Sequence, residues 1–290
     1  MTGLKTILAA TALAGVLSTG VGDAKRFEKP HSPASSATEV SNQAVHSARL
    51  ALVIGNSSYP DADAPLAQTV HDARALASTL RKDGFDVDLV QEATGQDMAA
   101  AIARLKAKVR PDSTVMISFG GFGVQSNGES YMIPVDAKIW YEDDVRRDGV
   151  SIDRLLSELK NSGAHIRLAI IDASRRNPYE RRFRSYSHGL APIEADENVV
   201  ILTSLPAGQV VDDPDGSRSL LIAGLLDEMN SSTASLEQIF NGTQDTVARK
   251  TLNRQIPTVS SSLIDDVKLG PAPTTAVVSS GQHGSVGRRT

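Results

Sequence analysis

The chain has 290 residues, 40% of them hydrophobic and 22% charged, enough for one large domain or two small ones, and with only 4% aromatics its core must be largely aliphatic. A formal net charge of −4 leaves no basic excess to neutralise phosphates and argues against a nucleic-acid partner. With no cysteine, the chain has neither disulfides nor a lipid-attachment thiol.

Met1 to Lys5 forms a short basic leader, Thr6 to Val21 an apolar run, and Gly22-Asp23-Ala24 supplies small residues for cleavage. The pattern predicts a secretory signal peptide over 1–24. The apolar run is shorter than the roughly 20 residues a spanning helix needs, so no stable membrane insertion is expected after cleavage. The mature protein is expected to be exported, either periplasmic or secreted. Residues 25–48 carry Pro30, Pro33, serines and mixed charge without apolar period, and predict a flexible linker. Residues 270–290 predict a disordered tail, which leaves 49–269 as one patterned domain.

That domain alternates strand and helix. Leu50 to Gly55 is a buried apolar run, followed by Val70, Ala73, Leu76, Ala77 and Leu80 at helical spacing up to Gly84. Phe85 to Val90 predicts a second strand, and Thr94 with Asp97 the capped start of a helix through Val109. Ser113 to Phe119 predicts a third strand that runs into Gly120-Gly121-Phe122-Gly123. Tyr131 to Val135 reads as a short strand in a hairpin after Asn127-Gly128, with Trp140 and Tyr141 packing in the next loop. Ser151 caps a helix carrying Ile152, Leu155, Leu156 and Leu159. His165 to Asp172 and Val199 to Thr203 predict two more strands, and Leu220 to Met229 and Leu236 to Ala248 two final helices.

Strands separated by helices imply right-handed crossovers and a three-layer α/β/α fold around a mostly parallel central sheet. Ligands of such sheets bind beyond the carboxyl ends of the strands. Phe122 and Ser174, which follow the third and fourth main strands, both belong to that edge.

Several segments together carry a resemblance: Arg49 to Asn56, His71-Asp72-Ala73, Gly123-Val124-Gln125, Met132 to Ala137, Ile170 to Pro178, Gly208-Gln209-Val210, Arg254 to Pro257 and Ser260 to Leu263. In this order they resemble bacterial caspase-like peptidases of the orthocaspase and metacaspase type. That family writes Asp-Ala-Cys-Arg where this chain has Asp172-Ala173-Ser174-Arg175, and Ser-Gly-His-Gly where it has Gly120-Gly121-Phe122-Gly123. The resemblance implies a cysteine nucleophile activated by histidine, with both positions replaced here by Ser174 and Phe122. A serine hydroxyl depends on a neighbouring base far more than a thiol does. The candidate bases are His71, His165 and His188; with one of them recruited, Ser174 would make a serine hydrolase cleaving after Arg or Lys.

The resemblance also implies that Asp72 and Asp172 line a pocket for a basic side chain, against the alternative that Asp72 caps a helix and Asp172 binds loop amides. Gly121, Gly123 and Arg175 complete the expected binding residues. Arg175, Arg176, Arg181, Arg182 and Arg184 predict a basic loop that either meets an anionic partner, pairs with Glu194, Asp196 and Glu197, or is simply solvated. Arg175 paired with Asp172 would block the pocket. No metal-ligand spacing, phosphate-binding glycine loop or other cofactor signal is present. Replacements at Ser204-Leu205-Pro206-Ala207-Gly208, Leu221-Ile222 and Thr258 fit a chain no longer held to catalysis. The expectation is a pseudo-peptidase that binds a peptide or protein partner, either a basic segment or an active caspase-like relative. A purely architectural protein with a closed pocket is the remaining alternative.

Overall fold

The computed structural model describes residues 47–63, 65–176, 178–179, 189–210, 218–231, 234–264 and 267–269. The expected signal peptide, nearly all of the linker, the tail, Arg181, Arg182, Arg184 and His188 lie outside the described residues.

Six strands form the central sheet: β1 (Arg49–Gly55), β2 (Asp86–Gln91), β3 (Ser113–Gly120), β7 (Ala164–Asp172), β8 (Val199–Thr203) and β9 (Thr258–Ser261), in the order β2-β1-β3-β7-β8-β9. All neighbours are parallel except β9, which runs antiparallel to β8 at the edge. A second small sheet joins β4 (Gly123–Ser126), β5 (Glu129–Met132) and β6 (Val150–Ser151). The helices are α1 (Ala67–Lys82), α2 (Gly95–Lys108), α3 (Glu142–Asp148), α4 (Ile152–Asn161), α5 (Leu220–Ser231) and α6 (Leu236–Lys250).

Two cores explain why the strand sequences are apolar without alternation. Leu50, Leu52 and Ile54 point to one face and share a cluster with Met98, Ala101 and Leu105 of α2 and Leu155 and Leu159 of α4. Ala51 and Val53 point to the other, with Leu76 and Leu80 of α1 and Leu225, Ile239 and Phe240 of α5 and α6. A strand covered on both faces needs apolar residues at every position, and each large one contributes about 1.5–3 kcal/mol when fully buried. The result is a three-layer α/β/α sandwich.

Local signals set the boundaries. Thr94 and Asp97 close a capping box on α2, each side chain accepting the other's backbone N–H at 3.1 Å. Ser151 caps α4 by accepting the Arg154 amide at 3.2 Å. The β4–β5 hairpin turns on Asn127 (φ 56°) and Gly128 (φ 81°), the pair of positive angles that an Asn-Gly turn supplies. Its second strand runs over Glu129–Met132 rather than on to Val135, since Pro134 has no N–H to donate.

Trp140 and Tyr141 do not pack: their residues are 62% and 74% exposed. Both backbone amides donate to Asp144 Oδ2 at 2.9 Å, and this capping of α3 leaves the side chains outside. Among the described residues no helix is long and apolar enough to cross a membrane.

Candidate functional site

From β1 the chain crosses to β2 on one side and later to β3 on the other, so the strand order reverses at β1 and opens the sheet edge there. Gly120 of β3 stands level with Gly55 of β1 and Asp172 of β7. A Cβ at Gly55 would lie 2.7 Å from both Ala73 Cβ and the Thr69 carbonyl oxygen, so glycine lets α1 start hard against the strand end. Beyond the strands, the Gly121 amide donates to the Asp172 carbonyl (3.4 Å) and the Gly123 amide to the Ala173 carbonyl (3.1 Å). The segments carrying Phe122 and Ser174 therefore run on side by side.

Phe122 lies in an apolar cluster with Tyr59, Val124, Tyr131, Ile133 and Ile139. Its ring centroid is 4.7 Å from that of Tyr59, with the planes tilted by 58°. The Tyr59 hydroxyl accepts the Phe122 amide at 3.1 Å and donates to the Ile133 carbonyl at 2.9 Å. Burial pushes the Tyr59 phenol well above its ordinary value, so this hydroxyl stays protonated and is no base. Gly121 and Gly123 sit against packed interior: an added Cβ would lie 2.5 Å from Tyr59 Oη at the first and 2.5 Å from Leu190 Cδ2 at the second. Their amides and carbonyls, rather than open space, are what they offer.

Ser174 is 0% exposed, and its Oγ has no hydrogen-bond partner among the described residues. Neither His71 nor His165 reaches it. His71 is exposed on α1 while the next residue, Asp72, is buried, because successive helical residues point about 100° apart. His165 is exposed near the start of β7, at the opposite end of the strand from Ser174. His188 falls outside the described residues.

The expected acidic pair is buried at this edge. Asp172 ends β7, and its Oδ2 accepts from Arg175 Nη2 at 3.0 Å. Arg175 Nη1 also donates to the Gly121 carbonyl at 3.2 Å and to the Asp172 carbonyl. Asp72 Oδ2 accepts the Ser219 amide at 2.9 Å, whereas Oδ1 has no partner among the described residues. Burial is the largest influence on Asp72 and raises its carboxyl; the Ser219 amide pulls it back, Asp172's charge raises it again, and it ends at about 7. The cavity between the acids, lined by Thr69, Asp72, Ser118, Gly120, Asp172 and Ile222 among others, is about 10 Å³. That is the lower limit for a single water, so no side chain can enter it as it stands.

Of the three acids named as candidates to pair with the basic loop, Asp196 and Glu197 lie 2.8 Å and 3.7 Å from Lys160 Nζ; Arg181, Arg182 and Arg184 of that loop lie outside the described residues. Tyr59 and Ser219 went unforeseen as site residues. Tyr59 is one of only 5 tyrosines and follows a strand end at the switch point, a signal that could have marked it. Ser219 acts through its backbone, which no side-chain pattern reveals.

The fold and the placement of these loops define a caspase-like domain. The caspase domain family model, Peptidase C14, matches residues 48–268, and the chain belongs to that family. No curated protein matches the chain. Among solved structures, protein GSU0716 from Geobacter sulfurreducens is similar in fold, with a TM-score of 0.56 and 16% identity over 77% of this chain and 98% of that one.

Proposed function

We propose that the chain is an exported caspase-like pseudo-peptidase: its peptidase site is inactive, and it works by binding a peptide or protein. The observation that carries this reading is Ser174, sealed from solvent with its Oγ unpaired among the described residues. A hydroxyl becomes a nucleophile only with a base beside it. The family's histidine position holds Phe122, whose ring neither accepts nor donates a proton. Loss of members of a catalytic unit costs on the order of 10⁶ in turnover in serine proteases. The buried carboxylates Asp72 and Asp172 support a basic segment as the partner; an active caspase-like relative that presents such a segment fits the same chemistry.

The test is the chain from Lys25 onward against fluorogenic peptides ending in Arg or Lys, beside Ser174→Ala. No turnover by either protein is expected. Turnover that Ser174→Ala abolishes would restore the serine hydrolase. Export rests on the leader pattern over 1–24 and is checked by fractionating cells that express the tagged full chain; a cytoplasmic, uncleaved product would remove it.

One observation favours a second reading, a purely architectural domain. Arg175 holds Asp172, and the space left between the two acids admits at most one water.

A further inference from the structure

The acidic site already contains a guanidinium. Two nitrogens of Arg175 meet three acceptors: Asp172 Oδ2 at 3.0 Å, the Gly121 carbonyl at 3.2 Å and the Asp172 carbonyl. Two of these acceptors are fixed by the backbone at adjacent strand ends, since Gly120 and Asp172 are register partners and the Gly121 amide itself donates to Asp172. A planar fork serves acceptors spread in this way. An ammonium group donates from one point and cannot reach them all with the same geometry. Asp72, whose Oδ1 has no hydrogen-bond partner among the described residues, adds a second buried carboxyl beside the first. The Arg175 backbone makes a tight return, its amide donating to the Ala173 carbonyl at 2.9 Å, and this brings the side chain back onto Asp172 three residues before it.

We propose that the protein keeps the basic-side-chain pocket of the reading above closed with its own Arg175, and that a partner's arginine side chain enters by displacing it. The inference rests on the peptide-binding reading above and narrows it: the ligand class is arginine rather than lysine, and Arg175 is the gate. Exchange of one guanidinium for another leaves the buried charge balanced, whereas a lysine would leave a backbone carbonyl unpaired. The closed state lowers the apparent affinity of the intact protein by the fraction of molecules that are open.

The experiment measures binding to the chain from Lys25 onward, as wild type, Arg175→Ala and the polar variant Arg175→Gln. The probes are methylguanidinium, N-acetyl-arginine amide and N-acetyl-lysine amide at constant ionic strength, read by calorimetry and by the shift in melting temperature. Both variants are expected to bind methylguanidinium and the arginine amide saturably, at least about tenfold more tightly than wild type does, and to prefer arginine over lysine. Adding Asp172→Asn to either variant is expected to abolish the effect. A variant that folds only with methylguanidinium present would also support the site. If wild type and variants bind the arginine amide equally, basic-peptide binding stands and the gate falls. If lysine binds as well as arginine, the selectivity falls. If both variants fold and bind neither probe, or fold under no condition, the site and the peptide-binding reading at this pocket both fall.

Discussion

The hydroxyl of Tyr59 accepts the backbone N–H of Phe122 at 3.1 Å while its ring packs on the Phe122 ring at 4.7 Å between centroids. One side chain thus fixes both the backbone and the ring of Phe122, the residue that the family resemblance aligns with a histidine. Glu92 holds the loop that delivers Tyr59: its carboxylate accepts the amides of Ser57 at 3.0 Å and Ser58 at 2.9 Å. Phe122 is therefore built into the packing of the site, from β1 through its following loop to the end of β3.

Two substitutions separate the polar from the apolar part of that contact. Tyr59→Phe leaves the buried Phe122 amide without an acceptor and is expected to destabilise by about 1–3 kcal/mol. The Ile133 carbonyl keeps the Asn56 side-chain amide at 3.3 Å, so the loss falls mainly on Phe122. Phe122→Ala empties part of a closed apolar cluster and is expected to cost about 3–5 kcal/mol. Urea unfolding of the three proteins measures both, and a Tyr59→Phe variant as stable as wild type would show that water reaches the Phe122 amide.

The sheet was legible because strands covered on both faces must be continuously apolar, as Leu50 to Ile54 and Leu168 to Ile171 are. Capped helix starts at Thr94 and Ser151 and the Asn127-Gly128 turn were legible because a local hydrogen bond or a positive φ demands those residue types. α3 and β9 carry no such mark: Glu142–Asp148 is charged almost throughout, and Thr258–Ser261 is a short, mostly polar edge strand that takes its partner from β8. In the site, sequence placed Phe122, Ser174, Asp72 and Asp172 at one sheet edge. It left open whether Arg175 would close on Asp172, because that depends on how the chain returns after Ala173. Nor could it foresee the Ser219 amide on Asp72, which comes from a residue 147 positions away.

Ser174 offers a direct probe of the sealed site. The chain has no cysteine, so Ser174→Cys carries a single thiol at a position with 0% exposure. Apolar burial also disfavours the thiolate. Labelling of the native variant by a thiol reagent is expected to be slower than that of the urea-unfolded chain by orders of magnitude, limited by opening of the structure. Labelling of the folded protein at the rate of a free thiol would mean that the loop around Ser174 opens readily, and the case for an inert site would weaken.

Asp72 makes stability depend on pH with a definite sign. Its carboxyl rises from 3.8 to about 7 on folding, so between those values the native state binds a proton that the unfolded chain has released. The contribution from this group is full below about pH 4, declines as pH rises towards 7, and changes little above. Asp72→Asn keeps an acceptor for the Ser219 amide and cannot ionise. The melting temperature of Asp72→Asn relative to wild type is therefore expected to climb from pH 5 to pH 8. A difference constant across that range would show that Asp72 ionises in the fold as freely as in the unfolded chain.

The pair Asp172–Arg175 is expected to behave as a buried couple whose members are costly to lose singly and cheaper to lose together. Asp172→Asn takes from the guanidinium the carboxylate it pairs with and leaves the two carbonyls; Arg175→Met takes from the buried Asp172 carboxylate, beside Asp72, the guanidinium it pairs with. Each single change is expected to destabilise by about 3–5 kcal/mol, most of it the penalty of the stranded charge. The double variant removes both charges and should cost clearly less than the two singles summed, with a coupling of about 2 kcal/mol or more in a urea-unfolding cycle. A coupling near zero would mean that the two side chains do not meet in solution and that the pocket stands open. A large coupling fits a closed pocket whether or not it can be opened, so it bears on the contact alone. The gate is then decided by whether an outside guanidinium can take the place that Arg175 leaves.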